Sequence, residues 1–187
     1  MTVTRSITAA MMAFALLAGC VEPAEQRQSD QVEVDAGLAP IILQADGVSQ
    51  GEDRNFPYGT EKTNVIAMLE RFGPVHQNRN EECGAGPMDS ASSPATGLTA
   101  NFQDDKLVGW FFDGDGTLAH TANDITVGST RAALEEAMPI EMQIESTLGI
   151  EFFSGSGEAG FIGGFLTDES DDATIESLYS GTNCFFR

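Results

Sequence analysis

The chain has 187 residues, 41% of them hydrophobic and 20% charged, with 29 Asp and Glu against 9 Lys and Arg and a net charge of −20. That field repels nucleic acid and anionic headgroups, so no nucleic-acid or polybasic membrane role is expected; it favours basic partners or cations, or serves solubility alone. The two histidines, His76 and His120, stand apart from each other and from the three cysteines, so no zinc-ligand spacing is present.

At the N-terminus, Met1 to Ser6 carries a single basic side chain, Arg5. Ile7 to Ala18 is an apolar run of signal-peptide length, too short to span a bilayer as a helix. The run closes on Leu17-Ala18-Gly19-Cys20, which resembles the lipobox of bacterial lipoproteins. The resemblance implies a signal peptide over residues 1–19, cleavage before Cys20, and acylation of the Cys20 thiol and new amine with diacylglycerol and palmitate-type chains. Several chains anchor far more firmly than one. An ordinary secretory signal with an incidental cysteine is the alternative. Val21 stands where lipoproteins retained at the inner membrane usually carry Asp, which implies the periplasmic face of the outer membrane in a Gram-negative host. Loss of Arg5 leaves eight basic residues against 29 acidic ones, a mature charge near −21.

With Cys20 acylated, Cys83 and Cys184 remain. An even pair in an oxidising compartment reads as one disulfide, with two free buried thiols as the alternative. Residues 20–37 are the acylated cysteine and a tether, too poor in bulky apolar side chains to fold. Residues 38–187 form a single domain.

A repeat is visible within that domain. Ala45-Asp46-Gly47-Val48 is echoed by Ala122-Asn123-Asp124-Ile125, and Tyr58-Gly59-Thr60 through Val65 by Val127-Gly128-Ser129 through Leu134. The two copies span about 38–112 and 118–187. Thr60 and Ser129 are expected as N-caps of helices near 60–72 and 129–138. Val65, Leu69 and Phe72 lie at i, i+4 and i+7, and Gly73-Pro74 and Pro139 end the two helices.

Strands are expected after each helix. Leu98, Ala100 and Phe102 alternate with polar residues, Gln103 to Lys106 turns the chain, and Leu107 to Phe112 returns it. Ile150 to Phe153, Phe161 to Leu166 and Ile175 to Tyr179 follow in the second copy, with Phe185-Phe186 at the end. The expected class is α+β: two tandem helix-plus-antiparallel-sheet repeats with the helices on one sheet face. The Gly59-Thr60 and Gly128-Ser129 helix entries and the Leu69…Gly73-Pro74 exit are similar to tandem-repeat envelope domains of the β-lactamase inhibitor protein and SmpA/OmlA type. In the second copy Met138-Pro139 replaces the Gly-Pro exit. Those families bind proteins and do not catalyse.

Chemistry-bearing motifs are few. Gly155-Ser156-Gly157-Glu158-Ala159-Gly160 fits GxGxxG, but Phe161-Ile162-Gly163-Gly164-Phe165 offers no helix for a pyrophosphate, so a hairpin turn is expected. An aspartate-semialdehyde dehydrogenase would need a glycine-rich loop near its N-terminus and a nucleophilic cysteine with a histidine in a second domain; the residues do not support it. Asp113-Gly114-Asp115-Gly116-Thr117-Leu118 resembles the middle of an EF-hand loop, yet Phe111 and Ala122 occupy its terminal ligand positions, leaving at most a weak calcium contact. Asp168-Glu169-Ser170-Asp171-Asp172 reads as a solvated acidic turn. No Gly-x-Ser-x-Gly elbow and no Cys-x-x-Cys pair occurs.

In the Trp110-Phe111-Phe112 strand, alternation sends Trp110 and Phe112 to one face and Phe111 to the other. Core packing is one account of these aromatics; the other is that an exposed aromatic residue beside Asp113 and Asp115 makes a surface for a basic partner. The expectation is a non-catalytic, lipid-anchored envelope protein without a cofactor or metal. Its acidic domain would bind or scaffold another, basic envelope protein through Trp110, Phe111, Asp113 and Asp115. The alternative is an envelope hydrolase whose site assembles only in three dimensions.

Overall fold

A computed structural model describes residues 37–51, 53–155 and 160–185. The expected signal peptide, the lipobox with Cys20 and the tether up to residue 36 lie outside the described residues, as does Phe186. In chain order the elements are β1 (Ile41–Gln44), β2 (Gly47–Gln50), β3 (Arg54–Pro57), α1 (Lys62–Leu69), β4 (His76–Asn80), β5 (Met88–Ser93), β6 (Leu98–Gln103) and β7 (Lys106–Phe112). After these come β8 (Ala119–Thr121), α2 (Arg131–Ala137), β9 (Glu141–Gln143), β10 (Ile150–Ser154), β11 (Ile162–Leu166) and β12 (Ile175–Gly181).

The strands form two sheets, one of order β3-β2-β1-β8 and one of order β4-β5-β6-β7-β12-β11-β10-β9. In the first, β8 runs parallel to β1, and the other pairs are antiparallel. The second sheet is antiparallel throughout, with the seam between its halves made by β7 and β12. Period-two alternation explains its burial. Leu98, Ala100 and Phe102 on β6, with Trp110 and Phe112 on β7, turn to the core, while Thr99, Asn101 and Phe111 turn to the other face. Asp104 and Asp105 hold φ of 50° and 57°, the two positive angles that a tight β6–β7 hairpin requires. The two sheets share one apolar cluster, in which Ile41, Leu43 and Val48 meet Trp110, Phe112 and Leu178. Polar bonds join them as well: Ser180 Oγ donates to the Ala45 carbonyl at 2.7 Å and accepts from the Tyr58 hydroxyl at 2.7 Å.

This layout corrects the expected α+β class with helices layered on a sheet. Among the described residues there are twelve strands and only two helices, of 8 and 7 residues, so the protein is mainly β. The apolar stripes read as helical are shorter than they look. α1 buries Val65, Met68 and Leu69, and Phe72 falls in the turn beyond it. α2 buries Leu134 alone.

Neither expected cap residue caps its helix. Thr60 is still paired with β7: its carbonyl accepts from Leu107 N at 2.8 Å, and its hydroxyl donates to Pro57 O at 2.6 Å. Glu61 takes the N-cap position without a side-chain bond to the helix's first turn. In the second helix Thr130 is the cap, accepting from Ala133 N at 3.2 Å, and Ser129 Oγ accepts from Thr126 N instead.

Candidate functional site

The outer face of the eight-stranded sheet, away from the shared core, divides into two halves of different chemistry. On the β4–β7 half the cross-strand register aligns Asn78 with Ser90, Ser90 with Asn101, and Thr99 with Phe111. Asn80 pairs with Met88 on the same face. The segment after β12 lies across this half, because Thr182 N donates to Val108 O at 2.8 Å. A side chain at Gly109 could not coexist with it, since a Cβ there would stand 2.2 Å from the Thr182 carbonyl oxygen.

The crossing places Asn183, Cys184 and Phe185 against the sheet and borders an open cavity of about 330 Å³. Amides are held in fixed orientations around it. Asn101 Nδ2 donates to Asn183 Oδ1 at 2.8 Å, Asn183 Nδ2 donates to Ser180 O at 2.9 Å, and Asn80 Nδ2 donates to Cys184 Sγ at 3.3 Å. The rings of Phe111 and Phe185 meet edge to face at 6.2 Å and form its apolar wall.

Cys184 lies in hydrogen-bond contact with Cys83; both are free thiols here, and Cys83 is buried. Burial, reinforced by the Cys83 contact, pushes the Cys184 thiol above its ordinary pKa, so it is uncharged at neutral pH. Among the described residues, no side chain lining this cavity carries a formal charge.

The β12–β9 half is aromatic. Tyr179 stands in the middle, with ring contacts to Phe153, Phe161, Phe165 and Phe185 at centroid distances of 4.9 to 6.2 Å. Gly163 pairs with Tyr179 and leaves room for its ring; a Cβ there would stand 2.6 Å from Tyr179 Cζ. The Tyr179 hydroxyl donates to Glu151 Oε1, and both residues are buried. Glu151 also reaches a second cavity of about 360 Å³, with Arg131, Ile144 and Glu169 on its walls. There Arg131 is occupied by the Glu135 carboxylate at 2.8 Å and the Glu169 carbonyl at 3.0 Å.

The expected partner surface is only partly assembled. Trp110 does not belong to it: the indole is 0% exposed and donates Nε1–H to Gln44 O at 2.9 Å, because its face of β7 is the core face. Phe111 does face outward, at the cavity. Asp113 and Asp115 lie beyond the strand end in the loop to β8, where Asp115 Oδ1 accepts from Thr117 N at 3.0 Å. That bond engages one carboxylate of the EF-hand-like stretch in its own turn. In the acidic turn, Asp168 Oδ1 accepts from Ser170 N at 2.7 Å.

The GxGxxG stretch joins two antiparallel strands, with Ser154 opposite Ile162, and so lacks the strand–turn–helix context of a dinucleotide loop. His120 Nδ1 lies 2.9 Å from Thr121 O and 3.4 Å from the exposed Asp124 carboxylate, and His76 sits exposed on β4. Neither histidine lines either cavity. Asn78, Asn80, Ser90, Asn101 and Asn183 escaped sequence reading. Their only local signal was the amide-rich His76 to Asn80 run, which becomes a surface only when it is paired with β5.

No protein-family model matches the chain, and no curated protein sequence or solved structure matches it either.

Proposed function

We propose that this is a non-catalytic binding protein of the bacterial cell envelope, held to the membrane through acylated Cys20, that docks another envelope protein on the outer face of its eight-stranded sheet. One observation carries the reading: in a chain of net charge −20, the described residues that bound the cavity, Asn78, Asn101, Phe111 and Phe185 among them, carry no formal charge. Fixed amides can bond a partner's main chain there, and the two rings provide the desolvated anchor that interface centres use. The acidic remainder of the domain steers a partner whose flanks are basic. β4 is one of the sheet's two edge strands, and its outer edge, unpaired with any described strand, can extend the contact by strand addition.

The test is site-specific photocrosslinking in intact envelopes. A photoreactive residue at Asn78 is expected to give one discrete adduct, which Asn101→Arg within the cavity abolishes and Glu136→Arg on α2 does not. Equal adducts from Asn78 and from a control position on α2 would overturn the docking face. Full recovery of the chain in the cytosolic fraction with Met1 intact would overturn the anchor.

A further inference from the structure

The described basic residues divide into two groups. Lys62, Arg79, Lys106 and Arg131 each form an ion pair with an acidic side chain. Arg54 and Arg71 form none with any described residue. Instead they converge on one atom. Arg54 Nη1 donates to Gln50 Oε1 at 2.9 Å, and Arg71 Nη1 donates to the same oxygen at 2.6 Å. Gln50 is 3% exposed, and its Nε2 donates to Ala39 O at 3.3 Å, which fixes the amide with its oxygen toward the two guanidinium groups.

The three side chains come from β2, β3 and the turn after α1, and they border a cavity of about 260 Å³. Gly37, Ala39 and Gly51 complete most of the wall; Asp53 also lines it but pairs with neither arginine. Two guanidinium groups sharing one neutral acceptor repel each other, and a single amide dipole offsets little of that repulsion.

We propose that Gln50, Arg54 and Arg71 form a binding site for a phosphate monoester. The charge selects the ligand. Two guanidinium groups outnumber the one Asp53 carboxylate on the wall and offer two forks to a tetrahedral group of charge about −1.5 to −2 at neutral pH, whereas a carboxylate ligand has oxygens for one fork only. The planar fork of each arginine can address two phosphate oxygens while one N–H remains on Gln50. The space exceeds that of a bare ion and admits part of the esterified group. Gln50 acts as the positioning residue, holding both forks toward the same point. The site lies on the four-stranded sheet and does not depend on the docking face of the other sheet.

Isothermal titration of the full chain in neutral detergent micelles tests it, with inorganic phosphate and glycerol 3-phosphate as probes at constant ionic strength. Saturable binding at one site per chain is expected, weakened about tenfold or more by Arg54→Gln or Arg71→Gln. Arg54→Lys, which keeps the charge and loses the fork, should fall between wild type and Arg54→Gln. Arg131→Gln should leave binding unchanged, and thermal melts of each variant report whether it folds.

Phosphatidic acid added to the micelles separates two sources of the same group. Displacement of glycerol 3-phosphate would point to a lipid headgroup, and no displacement to a soluble monoester. Absence of saturable binding, equal binding of acetate, or binding unchanged in folded Arg54→Gln and Arg71→Gln would overturn the site.

Discussion

Trp110 and Gln44 are joined across the two sheets: the indole Nε1–H of β7 donates to the main-chain carbonyl at the end of β1 at 2.9 Å. The largest side chain of the core is thereby fixed both by packing and by a polar bond. The same contact ties the small sheet to the strand next to the central seam, so the outer face proposed for docking lies on the reverse of a core strand.

Trp110→Phe removes that bond and leaves a partial cavity. Unfolding in urea should show a loss of about 2 kcal/mol. A loss within error would mean that the two sheets are held together by their apolar contacts alone.

Asp89 should govern part of the acid sensitivity. Its carboxylate accepts from Lys62 Nζ at 2.8 Å and from Arg79 Nη1 at 3.0 Å. The Lys62 bond, aided by Arg79 and opposed by partial burial, holds its pKa below the ordinary aspartate range. A depressed folded-state pKa stabilises the fold at pH values above the unfolded-state pKa, and that contribution is lost as pH falls through the folded-state value. Asp89→Asn should cost about 1–2 kcal/mol at neutral pH, and its stability should converge with wild type as the solution is acidified. Parallel melting curves that keep a constant gap down to low pH would contradict this.

Cys83 and Cys184 are in contact as free thiols, and we propose that they join in an oxidising envelope by exchange with a donor disulfide. Closing a loop of about 100 residues stabilises by about 4–5 kcal/mol in the chain-entropy model. Peptide mapping without reductant should recover the linked pair, and a reductant should lower the melting temperature of wild type but not of Cys184→Ser. Alkylation of both thiols in protein taken from intact envelopes would refute the bond.

Gly109→Ala tests how the 182–185 segment covers the outer face of the sheet. The new methyl group would meet the Thr182 backbone, which cannot yield as a side-chain tip would. We expect the 182–185 segment to shift and stability to fall by about 1–3 kcal/mol. Cysteine crosslinking between positions 83 and 184 should slow in parallel. An unchanged crosslinking rate would show that the segment is held elsewhere.

Period-two alternation is local, so the shared face of Leu98, Ala100 and Phe102 and the opposite faces of Trp110 and Phe111 could be read from residues a few positions apart; which face is buried could not, and the partner surface expected from sequence includes Trp110. Lipobox-type targeting, where it applies, is likewise a contiguous signal. Composition alone determined the acidic charge. Both helices lie within their expected ranges, but the first starts later than expected because Thr60 offers a capping hydroxyl while its carbonyl is still engaged by Leu107, a partner 47 positions away. The class therefore turned on strand pairing that no local window contains.

Tertiary structure alone decided the sites. Pairing of β7 with β12 carries the segment after β12 over Gly109, and only then do Phe111 and Phe185 share a wall or Cys83 and Cys184 touch. Arg54 and Arg71 read as two isolated surface charges until β2, β3 and the turn after α1 bring both to Gln50 Oε1. Alternation specifies which way a side chain faces. Which residues face one another depends on register across long loops, and that is settled by the packing of the whole core.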